Sequence, residues 1–411
     1  MSKPRKGASR LARTLRSLII IAAIGGGLAA YNIVNVRRDV ALATGPTNDD
    51  QRAFFARAAE RPDLELFYKG LTSAQRASMA RRLGDYDDPR LAAVIVKLLG
   101  TFDPEARKLL GESLAKLAQK QPDAVADQLA ISGSFQQLAV TNALKGVGER
   151  ALPLVAKRLE VAGARTNAVA FLVESGPGAI PELSNQLRSE NQDVSLAAAD
   201  ALGKLGAREA VPILVERYRT AKDAARIGYL SAIASIGDPS TEKILTEAMS
   251  DETLTIPQRM QGALGLGRVG TATAVATLAP LAEHPDRQFR ESVRSALALA
   301  GDAALKSPAI PPSLKLIVAG TVATPTSDAI IAAALKSPAS AQIAAEGAGN
   351  RPSLVLPLLQ AVKRTSDGAA ADEMLRALAT TKAGRAQLAE LEKDPSLGGL
   401  AARRNRIGPG A

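Results

Sequence analysis

Residues 193–218 read DVSLAAADALGKLGAREAVPILVERY, and the punctuation of that stretch decides the fold. Val194, Ala197, Ala198, Ala201, Leu202 and Leu205 recur at three- and four-residue intervals, the spacing that collects apolar side chains on one face of a helix. Gly206 follows, where a left-handed residue closes a helix and turns the chain back. AVPILVERY then opens a second helix with Pro212 in its first turn, where the missing N–H costs nothing.

The same unit recurs along the chain. Small residues closing a helix fall at Gly84, Ala118, Gly148, Gly176, Gly206, Gly237, Gly270 and Gly301, with spacings of 34, 30, 28, 30, 31, 33 and 31 residues, about 31 on average. Each period reads as a helix A and then a helix B. Helix A carries an early proline in ALPLVAKRL (Pro153) and AIPELSNQL (Pro181), and the apolar stripe of helix B returns as Ile227, Leu230, Ile233 and Ile236. One such hairpin cannot bury its apolar face alone, so copies must stack on their neighbours. Composition agrees: aromatics are 3% of the 411 residues and tryptophan is absent, which suits helices packed closely in thin layers.

Eleven residues before the closing mark an arginine recurs, at Arg107, Arg165, Arg226, Arg259 and Arg290. Three or four positions earlier stand Asp103, Asp223 and Asp286, with Asp193 placed similarly ahead of Ser195, and these aspartates suit helix N-caps. Two roles stay open for the arginines: a ladder that hydrogen-bonds the turn of the adjoining copy, or contacts to an acidic partner. Consecutive B helices bring Arg226, Arg259 and Arg290 into line, with Tyr229 and Arg294 nearby, and these five residues are the sequence's candidate partner contacts.

Asp193-Val194 leading into AAADALGKLG and then AVPILVERY resembles the HEAT-like repeats of the phycocyanobilin-lyase type, over roughly residues 72–301. The resemblance implies an all-α fold, a right-handed alpha-alpha superhelix whose B helices line a concave face that grips a protein or peptide. It implies a scaffold without catalysis. The alternative it leaves open is an enzyme related to the phycobilin lyases, which calls for a deep polar pocket between repeats; no catalytic position carries over.

Around this array the sequence divides further. Residues 302–350 read as irregular helical repeats, in which the heptapeptide AALKSPA occurs at 303–309 and again at 333–339. Residues 351–397 restore a repeat, LVLPLLQAVKR with Pro357 and then DEMLRALAT, followed by a capping helix, and 398–411 form a basic tail expected to be disordered. Before the array, 49–71 read as a helical cap in which Phe54, Phe55, Phe67 and Tyr68 plug the open end, preceded by a linker at 37–48. Residues 17–36, SLIIIAAIGGGLAAYNIVNV, run uncharged for twenty positions, long enough to cross a ~30 Å hydrocarbon layer at ~1.5 Å per residue. With 1–16 basic, the charge bias predicts a single-pass membrane protein, its N-terminus cytoplasmic and its repeats periplasmic or extracellular. Secretion after cleavage near Ala43, in the small-x-small sequence Ala41-Leu42-Ala43, is the alternative.

The net charge of +11 sits at the ends: residues 1–40 hold eight basic side chains against Asp39, and Arg403, Arg404 and Arg406 lie in the tail. A near-neutral middle gains little from displacing phosphate counterions, so no nucleic-acid partner is expected. The absence of cysteine removes disulfides, thiol catalysis and cysteine-ligated zinc. His284, the one histidine, precedes Pro285 and reads as a solvated turn residue, so no metal and no cofactor are expected. The glycines of GALGLGRVG (262–270) imitate a dinucleotide fingerprint, but no strand precedes them.

Overall fold

A computed structural model describes residues 64–101, 104–131, 133–365 and 368–391, together with 38–39, 41, 50 and 53–54. The chain divides into two compact units, Met1–Glu182 and Leu183–Ala411. Among the described residues every regular element is a helix.

In the first unit the helices are α1 (Leu64–Gly70), α2 (Ser73–Leu83), α3 (Leu91–Leu99), α4 (Pro104–Lys120), α5 (Pro122–Ala126), α6 (Ser134–Val147), α7 (Ala151–Lys157) and α8 (Arg165–Glu174). The B helices α2, α4 and α6 pack in succession, and α3 folds back on α4. Leu110, Leu114 and Leu117 of α4 lie one turn apart and are fully buried, so the three- and four-residue stripe is the core. Phe54 and Tyr68 are buried, and Phe54 meets Phe67 edge to face at 5.9 Å.

The helix α9 (Ile180–Leu187) spans the junction of the units. The second unit continues with α10 (Gln192–Leu205), α11 (Val211–Thr220), α12 (Asp223–Ile236), α13 (Glu242–Ser250), α14 (Ile256–Val269), α15 (Ala272–Leu278) and α16 (Arg287–Ala300). Its C-terminal part holds α17 (Asp302–Lys306), α18 (Pro312–Thr321), α19 (Pro325–Ala334), α20 (Ala341–Ala348), α21 (Val355–Arg364), α22 (Gly368–Thr380) and α23 (Lys382–Leu391). The B helices α10, α12, α14 and α16 pack one on the next, and α11 and α13 fold back on α12 and α14. Within this part α20 is eight residues long and ends at Gly349 with φ 45°.

Six of the eight closing marks are left-handed: Gly148, Gly176, Gly206, Gly237, Gly270 and Gly301 all have φ between 58° and 74°. Ala118 instead lies inside α4, and Gly84 is right-handed at φ −80°. Glycine is demanded at 84 for a different reason, since a Cβ there would lie 2.6 Å from the Ser113 Cα of α4. The aspartates also divide. Asp286 is an N-cap that accepts from the Phe289 amide at 2.8 Å, whereas Asn191 caps α10 and Asp193 sits in its first turn. Asp223 begins α12 itself, and Asp103 is outside the described residues.

The single-pass membrane placement is corrected. Among the described residues no helix is long and apolar enough to cross a membrane. The longest of them, the 17-residue α4, reaches about 26 Å and carries Glu105, Arg107, Lys108, Glu112, Lys116 and Lys120, where a span needs ~30 Å of uncharged chain. A run without charge meets only one of the two demands of spanning; the other is a continuous helix of that length. Residues 1–36, the cleavage alternative at Ala43 and the tail 398–411 lie outside the described residues.

Candidate binding groove

Four of the five recurring arginines fasten their own hairpin shut. Arg107 Nε donates to the Thr101 carbonyl and Arg165 Nε to Leu159 O, both at 2.8 Å, while Arg290 donates to His284 O at 2.7 Å. Each reaches six residues back across the A–B turn and satisfies a carbonyl just past the end of helix A. Arg259 performs the same task on Met249 O at 2.8 Å, ten residues back. Outside the five predicted copies, Arg385 caps Ala379 O at 2.7 Å in the same six-residue pattern. The hydrogen bonds stay within the hairpin, and it is the guanidinium faces that reach the next copy: Arg107 lies 4.4 Å over the Phe135 ring and Arg259 4.9 Å over Phe289.

Where the ladder position lacks arginine, the carbonyl is satisfied by the shorter side chain itself or by the next copy. Ser195 donates to Leu187 O at 2.7 Å and accepts from the Tyr229 hydroxyl at 2.8 Å. Gln137 donates to Asn167, whose amide caps Leu129 O at 2.6 Å.

The sequence's candidate contacts differ in their surroundings. Tyr229 is 3% exposed and committed to Ser195, so its ring is interior packing. Arg294 is spent on the Ala282 carbonyl and on Glu283 and Glu291. Arg226 stacks on and donates to Tyr218, and borders a hollow of about 350 Å³ with Leu230, Thr255 and Gln258. Hydrogen bonds from Thr253, with Arg226 and Arg259 also nearby, hold the Asp251 carboxyl below its ordinary range, so an acid already shares the field of this row. His284 is half-buried in its turn: its ring packs edge to face on Phe289 at 4.8 Å, and its Nδ1 accepts the Asp286 amide.

The open surface lies in the first unit. Between α4 and α6 runs a groove of about 550 Å³, floored by Gly111, Ala115, Ala139 and Ala143 and bordered by Leu99, Phe135 and Leu138. Phe135 is 61% and Leu138 56% exposed, one helical turn apart on the same face. Arg107 and Lys108 line one end and Asn142 the other. A smaller, more polar hollow of about 290 Å³ shares Leu138 and Asn142 and continues to α8. Among the described residues no three acidic or histidine side chains converge as metal ligands.

The family model for HEAT repeats matches residues 162–228 and 180–260. Residues 162–260 are HEAT repeats. The match covers α10 and α12 with the Ser195–Tyr229 relay, and the same hairpin construction extends on either side of it. No curated protein matches the chain. Solved structures similar to it include human deoxyhypusine hydroxylase in complex with glycerol, 18% identical with a TM-score of 0.28, covering 66% of this chain and 98% of that one. An engineered protein is 18% identical with a TM-score of 0.31, covering 90% of this chain and 98% of its own. A complex of Kap95p with RanGDP gives 12% and 0.35, covering 90% of this chain and 58% of the other. Likenesses at this level say nothing about activity or partner.

Sequence reasoning passed over Phe135 and Leu138. The available signal was the spelling of α6, SFQQLAVTNALKGV, whose Phe135 and Leu138 fall outside the buried stripe of Val140, Ala143, Leu144 and Val147.

Proposed function

We propose that this HEAT-repeat protein is a scaffold that binds a protein or peptide segment and performs no catalysis itself. The observation that carries the reading is the pair Phe135 and Leu138, exposed together in the groove between α4 and α6. Exposed apolar residues scattered singly are ordinary, whereas two adjoining ones in a concave surface mark a contact site. The recurrent polar side chains support the same reading, because Arg107, Arg165, Arg259 and Arg290, with Ser195, Tyr229 and Asn167, are engaged in closing hairpins. The proposed contact therefore sits on the apolar groove and not on the row of Arg226, Arg259 and Arg290.

A photo-cross-linking amino acid placed at 138, with exposed Leu356 of the second unit as the control position, tests this. The expected result is a protein captured from 138, lost on Phe135→Asp and absent from 356. Equal labelling at both positions sinks the reading.

A further inference from the structure

Resting on that reading, we infer that the groove between α4 and α6 takes an amphipathic α-helix whose apolar stripe lies on Phe135, Leu138 and the small-residue floor, with carboxylates over Lys108. The backbone decides between a helix and an extended segment. The groove is walled by two helices, α4 and α6, whose N–H and C=O groups are largely used within them. Among its lining side chains only Asn142 offers an acceptor. An extended peptide laid there would bury unpaired amides, whereas a helix satisfies its own.

Length and charge fit the same occupant. On α4 the lining runs from Pro104 through Arg107, Lys108 and Gly111 to Ala115, a trough of about 16 Å, or roughly three turns of a partner helix. Such a helix presents anchors at three- and four-residue intervals, matching the turn between Phe135 and Leu138. The charged side chains lining the trough among the described residues are Arg107 and Lys108, both basic and both at one end. Gly111 leaves the floor open: a Cβ built there meets nothing within 4 Å.

The test uses the full chain and a fluorescent helical peptide of about 15 residues, the length below which helices hold poorly in water. It carries leucines along one stripe and two glutamates at one end; a second peptide carries lysines in their place. Fluorescence anisotropy is expected to show the glutamate peptide binding more tightly and weakening with salt. Lys108→Glu lowers its affinity about tenfold and narrows or inverts the preference between the peptides. Leu138→Ala weakens both, and Gly111→Leu, which fills the floor while its melting temperature shows the fold intact, abolishes both.

Equal affinity for the two peptides, or binding that survives Gly111→Leu, overturns the inference. Self-association in sedimentation velocity that is lost on Leu138→Ala also overturns it, because the occupant is then a second copy of this chain. Should neither peptide bind while residue 138 still captures a protein that Phe135→Asp releases, the helix is refuted and the scaffold reading survives. Failure of both experiments removes both.

Discussion

Two junctions between successive B helices, α4 with α6 and α14 with α16, contain glycine in the middle of a helix and put it to opposite use. In α14 the glycines are where neighbours press closest. A Cβ on Gly267 would lie 2.7 Å from Ala296 C and Cα in α16, and one on Gly262 would lie 2.7 Å from Leu245 O in α13. Gly265 is confined in the same way by Ala234 of α12. The GALGLG spelling that imitates a nucleotide-binding fingerprint is therefore what lets α14 seat against three neighbours at near-backbone distance. In α4, Gly111 faces empty space on the groove floor. One junction uses the absence of a side chain to close, the other to stay open.

The sharpest way to break this comparison is one substitution made twice. In an isolated helix, glycine to alanine gains about 1 kcal/mol. At Gly267 overpacking against Ala296 reverses the sign, and a net loss of about 2 kcal/mol is expected, read as a lower urea midpoint. At Gly111 nothing opposes the gain, so Gly111→Ala raises the midpoint by the equivalent of about 0.5–1 kcal/mol. Shifts of the same sign at both positions would abolish the distinction between a closed and an open junction.

A third junction, α10 with α12, is closed by side chains as well as by a small residue. The Gly203 Cβ position lies 3.1 Å from Ala232 Cα, and beside it the Tyr229 hydroxyl donates to Ser195, which donates to Leu187 O. Ser195→Ala strands both the buried Leu187 carbonyl and the tyrosine hydroxyl, and is expected to cost about 2 kcal/mol. Tyr229→Phe leaves the inner bond in place and costs about 1 kcal/mol. In the double variant the losses fall short of additive, because the two groups share one bond. Strict additivity would mean that the relay contributes nothing to holding this junction.

How much of this was legible follows from how local each feature is. Left-handed Gly206 and Gly237, prolines in first turns and stripes such as Leu110, Leu114 and Leu117 are written in neighbouring residues, so the helices and their hairpin order could be read directly. The arginine ladder was half legible: its period of about 31 residues showed, but the carbonyl six residues back did not, because that pairing depends on how tightly each A–B turn folds. Gly111 and Gly267 are indistinguishable in sequence, since what separates them is the distance to another helix. The groove stayed hidden for the same reason. The spelling of α6 sets Phe135 and Leu138 off the buried stripe, but only the position of α4 shows that they border an open groove. The uncharged run at 17–36 lies outside the described residues, among which no helix is long and apolar enough to cross a membrane.

The smallest expected effect concerns a junction fastened by charge. Asp302, the first residue of α17, accepts from the Thr324 hydroxyl at 2.8 Å, the Thr326 hydroxyl at 2.9 Å and Lys306 Nζ at 2.9 Å, which ties it to the start of α19. These bonds, Lys306 first, hold its carboxyl at about 2, below the ordinary 3.8. Since the folded-state value is depressed, the carboxylate stabilises the fold above 3.8 and that contribution disappears as pH falls towards 2. Asp302→Asn has no such proton to take up. The gap in melting temperature between the parent and Asp302→Asn should therefore be constant at neutral pH, narrow below pH 4 and level off near pH 2. The group is open to solvent, so the gap stays small throughout. A gap of unchanging size across that window would show that the threonines hold α17 to α19 equally well without the charge. Closure at this junction would then rest on neutral hydrogen bonds, as it does at Ser195, and charge would play no part in deciding which junctions of the chain are shut.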